Sequence, residues 1–138
     1  MADYVDQMLY MGLALAPDER IAVPTRLSYE AHDPFAVHIV FHPDTDRSVT
    51  WILARDLLAE GLFRPSGQGD VRVWPKGSGP DAELHLALSS PHGAARLTAP
   101  LPEVAQWLQR TYCVVPAGHE ADGFDWDAEL SRLLPGTA

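Results

Sequence analysis

The chain has no asparagine, one lysine (Lys76) and one cysteine (Cys113) among its 138 residues. A single thiol excludes an internal disulfide and any zinc site built on cysteine within one chain, and it suits a reducing cytosol. The missing asparagine fits either a biased genome or the avoidance of labile amides seen in thermophiles. Basic charge is also short. Ten Lys and Arg stand against nineteen Asp and Glu, a net charge of −9, and the ten are scattered singly with no basic run. Nucleic-acid binding rests first on neutralising phosphates, so DNA and anionic membrane are poor main partners. Long apolar runs are missing too. The longest, Met8 to Ala16, is about half of the roughly 20 residues a membrane helix needs. Asp3 and Asp6 precede it instead of basic residues, which disfavours a signal peptide.

What is present suffices for a core. Apolar residues make up 46% of the chain, and one domain over residues 1–138 hides roughly two thirds of its unfolded surface. Most apolar segments are short, alternating and divided by Gly, Pro and Asp, a strand-rich pattern. Residues 7–15 read as strand or helix. Strand is preferred, because Gly12 would weaken a short helix and Pro17 ends the run. Strands are expected over 26–31, over 35–41 and, after a turn at 42–48, over 49–53.

The period then changes. Residues 54–61 read as a short helix with Gly61 as its C-terminal stop. After a loop at 64–69, strands are expected over 71–74, 83–89 and 94–99. Pro100 and Pro102 open a helix whose apolar face is Leu101, Val104, Ala105, Leu108 and Tyr112, and Pro116 closes it. The acidic segment 120–138 ends in a last helix capped by Asp125, with Trp126, Leu130, Leu133 and Leu134 on one face. The fold class is α+β: an antiparallel core of about seven strands with three helices, in the order ββββα-βββ-αα. That order is a half-repeat of architecture without a repeat of sequence.

No reaction emerges from the chemistry-bearing residues, and no catalytic, cofactor or metal residue is assigned. His38 and His42 have the spacing of zinc-binding helices. In a strand they point the same way but stand about 13 Å apart. Asp44, Thr45 and Asp46 begin like a calcium loop, but the glycine it requires at the sixth position is Val49. Gly67 and Gly69 lead into a strand and lack the Lys-Ser/Thr of a phosphate cradle. Ser89, Ser90 and His92 are explained by a turn at Pro91 and Gly93. Cys113 reads as a buried small apolar residue. Arg55, Asp56 and Glu60 read as solvated pairs or cap contacts. Trp51 and Trp74 read as core or interface, because base stacking needs a basic groove and none is visible.

Three stretches carry a resemblance: Ala31 through His42 (AHDPFAVHIVFH), Trp51 through Pro75 (WILARDLLAEGLFRPSGQGDVRVWP) and Leu86 through Pro100 (LALSSPHGAARLTAP). The chain resembles the SsgA-like proteins of spore-forming filamentous actinobacteria, from about Val23 to Leu134; the first twenty residues match only loosely. The resemblance implies a small acidic protein without known catalysis that helps set where and when septa form. It implies as partners SsgA-like paralogues and the tubulin-like division protein FtsZ, met in the cytoplasm at the septum. It also implies a fold similar to the whirly single-stranded-DNA-binding fold, which assembles into oligomers. Fold does not carry function, so a nucleic-acid binder of that fold is one alternative. An enzyme with a site assembled between subunits, around His38, His42 or His85, is another.

Self-association has a physical basis as well, since seven short strands leave edges to be covered. Leu57, Leu58, Leu62 and Phe63 crowd one short helix and its exit, and they are the expected self-association patch. A trimer is what the resemblance implies. For a partner surface the candidates are Leu130, Leu133 and Leu134, although core packing of these leucines is the favoured reading.

Overall fold

The computed structural model describes residues 4–122 and 126–133. Strict alternation lays out its sheet. In β1 (Tyr4–Ala16) Val5, Leu9 and Met11 are buried, while Tyr4, Met8 and Tyr10 are exposed. In β2 (Glu19–Glu30) Val23, Thr25, Leu27 and Tyr29 are buried. The inward parity continues through β3 (Ala36–Phe41), β4 (Val49–Ala54), β5 (Val71–Lys76), β6 (Glu83–Ser90) and β7 (Gly93–Pro100), although β3 and β7 each also bury three residues in a row, Ile39 to Phe41 and Leu97 to Ala99. Period-2 side chains give each strand one apolar face, and all these faces look inward onto one cluster.

The seven strands form one antiparallel sheet, ordered β4-β3-β2-β1-β7-β6-β5. It consists of two meanders. The first, β1 to β4, ends in helix α1 (Arg55–Gly61); the second, β5 to β7, ends in helix α2 (Leu101–Val114). They join where Gly12 faces Thr98 and Leu13 faces Leu97. A Cβ on Gly12 would sit 2.9 Å from the Thr98 hydroxyl oxygen, so any larger residue would have to turn the Thr98 side chain aside for the two halves to approach this closely. A single 3₁₀ turn, Gly79–Asp81, lies between β5 and β6, and helix α3 (Trp126–Leu133) follows α2.

The element order is the expected one, but details differ, beginning with β1, which starts at Tyr4 and not at residue 7. Strand β2 begins at Glu19, not near residue 26. Pro24 concealed its first half. The proline is tolerated because its carbonyl, which accepts from the His42 N–H at 2.9 Å, faces β3 just beyond the last paired residues, Thr25 and Phe41. Its missing N–H is therefore not wanted in the ladder. Gly61 is not a left-handed stop. It lies against β5, where a Cβ would come within 2.5 Å of a Val73 methyl, and Leu62 caps the helix instead. In α2 the buried residues are Val104, Trp107, Leu108 and Thr111, so Trp107 holds the centre of the face. Its indole N–H donates to the Val5 carbonyl at 2.9 Å, pinning α2 inside the curl. The expected cap Asp125 lies outside the described residues.

Arg55 is the other departure. Of the two expected roles, solvated pair or cap contact, it takes the second, but in a buried setting where it is 1% exposed. Its Nη1 donates to the Thr111 and Val115 carbonyls at 3.1 and 2.8 Å, and its Nη2 donates to Glu120 Oε2 at 3.0 Å. The guanidinium lies 4.0 Å from the Tyr112 ring centroid and 4.8 Å from that of Tyr29. Thr111 and Val115 mark the C-terminal end of α2, where the dipole is negative; the Thr111 carbonyl also accepts from the Val115 N–H at 2.9 Å, so Arg55 adds a second donor there and supplies one to the Val115 carbonyl. Arg55 therefore caps α2 from another helix. Burial pushes the Tyr29 and Tyr112 hydroxyls up, which keeps both rings neutral beside the cation. The Tyr29 hydroxyl also donates to the Pro34 carbonyl at 2.9 Å.

Two outcomes follow from this cluster. Arg55→Ala removes the donor of the Val115 carbonyl, one of two donors to the Thr111 carbonyl and the cation paired with Glu120, and should cost about 3 kcal/mol or more in urea unfolding. Arg55→Lys should restore little, since a point charge cannot replace the fork; a lysine variant as stable as wild type would refute the arrangement. Glu120 is held below the ordinary glutamate range, first by its own backbone N–H and then by Arg55. Such a carboxyl contributes stability that is complete above its unfolded value, about 4.3, and is lost as pH falls through the folded value. Acidification below about pH 4 should therefore weaken wild type more steeply than Glu120→Gln; parallel pH–stability curves would contradict this.

Candidate interaction surfaces

Of the catalytic and metal-binding candidates, His42, Ser90 and His92 line one cleft. His38 is half-buried in β3. His42 has left the strand with φ 51, so it does not share the direction expected of it. Among the described residues no three His, Cys, Asp or Glu side chains converge as metal ligands. Ser90 and His92 form the β6–β7 turn, with the His92 backbone N–H donating to Ser90 Oγ at 3.2 Å. Cys113 is exposed rather than buried, because the inward face of α2 runs through Val104, Trp107, Leu108 and Thr111.

The expected self-association patch is largely core. Leu58 is 1% exposed, and Leu57 and Leu62 are half-buried against the central cluster, because α1 lies over β5 where Gly61 allows contact. Only Phe63 remains on the surface. The leucines of the last helix behave the opposite way. Leu130 and Leu133 are 51% and 74% exposed, so the favoured core packing does not hold for them. Leu134 lies outside the described residues.

Apolar surface collects in two other places. The outer face of the first meander exposes Tyr4, Met8 and Tyr10 of β1 and Ile52 of β4, each more than half accessible. Sheet faces without a covering layer are ready contact surfaces. At the end of the curl away from the Arg55 cluster, a cleft of about 340 Å³ is lined by Leu13, Val23, Phe41, Trp51, Leu88 and Leu97. Trp51 thus sits at the rim of the core, as expected.

The outer face of the second meander has a different character. Register brings Trp74 beside His85, with the rings stacked 5.6 Å apart, and places Arg96 5.3 Å from the Trp74 ring. Arg72 faces Ala87, which faces Arg96; Lys76 faces Glu83. Arg20 approaches from β2 and is clamped by Glu83, with Nη1 to Oε2 at 2.7 Å and Nη2 to Oε1 at 3.4 Å. The Arg20 guanidinium holds the Glu83 carboxyl below its ordinary range. Burial pushes the His85 imidazole down, favouring its neutral form beneath Trp74. Singly scattered cations in sequence are thus gathered on one face, which sequence reasoning missed. Alternating positions 72, 74 and 76 carried the only signal.

No helix among the described residues is long and apolar enough to cross a membrane. The family model described as the Streptomyces sporulation and cell division protein SsgA matches residues 23–120. The chain is 47% identical over 126 residues to the sporulation-specific cell division protein SsgB of Streptomyces coelicolor, covering 91% of this chain and 92% of that one. SsgB of Frankia casuarinae is 40% identical and the match covers 97% of this chain and 94% of that protein. Likeness therefore extends through most of the first twenty residues. Two solved structures superpose at TM-score 0.81. One, from work on mutations in SsgB that correlate to longitudinal cell division during sporulation of Streptomyces coelicolor, is 44% identical and covers 86% of this chain and 94% of that chain. The other, the SsgA-like sporulation-specific cell division protein of Thermobifida fusca, is 39% identical and covers 95% of this chain and 96% of that chain. The chain therefore belongs to the SsgA family of sporulation and cell division proteins.

Proposed function

We propose that this chain is a non-enzymatic adaptor of sporulation and cell division, working at the septum by organising FtsZ and SsgA-like paralogues through protein contacts. The observation that carries the reading is the 47% identity, across 91% of the chain, to a sporulation-specific cell division protein. The surfaces support it, because exposed apolar and charged faces suit contacts more than chemistry. In this reading a homo-oligomer, taken as a trimer, presents several weak sites to a polymer and gains avidity without new bonds. The exposed outer face of β1 and β4 is its interface, and exposed Leu130 and Leu133 on α3 contribute to the FtsZ contact.

Wild-type protein should scatter light as an oligomer at micromolar concentration. Met8→Glu with Tyr10→Glu should shift it to monomer with unchanged circular dichroism; a wild-type monomer, or an unaltered oligomer in the variant, would sink the interface. In the host, deleting the gene should leave fluorescent FtsZ diffuse during sporulation septation. A copy with Leu130→Ser and Leu133→Ser should restore FtsZ rings only in part. Normal rings in the deletion strain would overturn the adaptor reading.

A further inference from the structure

The outer face of the second meander forms a trough. One hollow of about 370 Å³ includes Arg72 and Arg96 in its lining, and a second of about 460 Å³ includes Trp74, Lys76, Arg20 and again Arg96. Arg96 links the two. No carboxylate among the described residues lines either hollow. Arg20 is engaged by Glu83, but Arg72, Lys76 and Arg96 have no ion-pair partner among the described residues. Three unpaired cations flank an indole on the surface of a chain with net charge −9.

We propose that this trough binds a short, extended acidic segment of a partner protein, with carboxylates toward Arg72, Arg96 and Lys76 and an apolar side chain over Trp74. Arg72 and Lys76 are four residues apart on one strand, which spans about 13 Å. An extended ligand with acidic residues four apart matches that span, and the residue midway falls at Trp74. The ligand lies on the face and does not add a strand. The free edge of β5 is closed, because Ser66 and Val73 exchange backbone hydrogen bonds at 2.8 and 2.9 Å and Pro75 has no N–H to offer.

Length decides between an acidic peptide and a nucleic acid. Asp70 stands next to β5 at the Arg72 end, and exposed Asp18 and Glu19 precede Arg20 at the other. A nucleic acid carries a phosphate on every nucleotide, one about every 3.4 Å of duplex axis on each strand, and would run past both ends onto like charge. A short acidic segment stops inside.

The test is fluorescence anisotropy on the full chain with a labelled short peptide carrying two carboxylates four residues apart around a leucine. Controls are the same peptide with amides for carboxylates, and an oligothymidylate of equal charge. The acidic peptide should bind, and should weaken several-fold between low and physiological salt. Lys76→Gln with Arg96→Gln should weaken it about fivefold or more, and Trp74→Ser should weaken it at low and high salt alike. Arg47→Gln, in the β3–β4 loop, should leave it unchanged. All of these positions are partly or fully exposed, and circular dichroism checks that each variant folds. No binding of the acidic peptide, equal binding of the amide peptide, full affinity in the double variant, or tighter competing binding by the oligothymidylate would each overturn the proposal.

Discussion

A buried guanidinium organises one end of this molecule. Arg55 begins α1, and its bonds reach the end of α2 and the loop beyond it, 56 to 65 residues away in sequence. The first meander ends at Arg55 and the second ends in α2, so the cation ties the closing elements of both halves together. Burying a charge is tolerable only when it is paired and bonded. Here the C-terminal carbonyls of α2, the Glu120 carboxylate and two tyrosine faces serve both Nη atoms, while Arg55 Nε is left without a hydrogen-bond partner among the described residues. The cluster also fixes geometry, since the planar fork requires acceptors in set directions. At the other junction the constraint is steric: Gly12 leaves room for the Thr98 side chain where β1 and β7 meet.

With helices α1 and α2 packed against the inner apolar layer, the convex face of the sheet is left to carry contacts. Its two halves differ. Outward positions of β1 and β4 hold Tyr4, Met8, Tyr10 and Ile52, whereas those of β5 and β7 hold Arg72, Trp74, Lys76 and Arg96. Each set is one strand parity read across paired strands. A chain can therefore be acidic as a whole and cationic over one meander. Net charge governs long-range attraction, while register governs what a docked ligand meets.

Much of the fold was legible because apolar alternation is a local signal. Val5, Leu9 and Met11 mark β1, and Val37, Ile39 and Phe41 mark β3, without any reference to distant residues. Proline misled once. Pro24 hid half of β2 because its tolerance depends on where β3 stops pairing, which is a tertiary fact. Trp107 was legible and overlooked, since Val104, Trp107, Leu108 and Thr111 have the i, i+3, i+4, i+7 spacing of a buried face. Arg55 was not legible, as every partner is remote. Leu58 was misplaced because the room for it in the core depends on Gly61 resting against Val73.

The segregation of the two outer faces bears on how a proposed oligomer would work. An interface built on the β1 and β4 surface occupies the first meander and leaves the basic trough of the second free. Closed symmetry repeats every free surface once per subunit, so each copy adds one trough with the same orientation relative to the axis. Individually weak, salt-sensitive sites then act together on any partner that repeats its acidic segment, as a polymer does. A single site with three unpaired cations would release readily, and the array would not. Reversible docking on a dynamic partner thus needs no deep pocket or bound cofactor, only a sheet whose two outer halves differ in character.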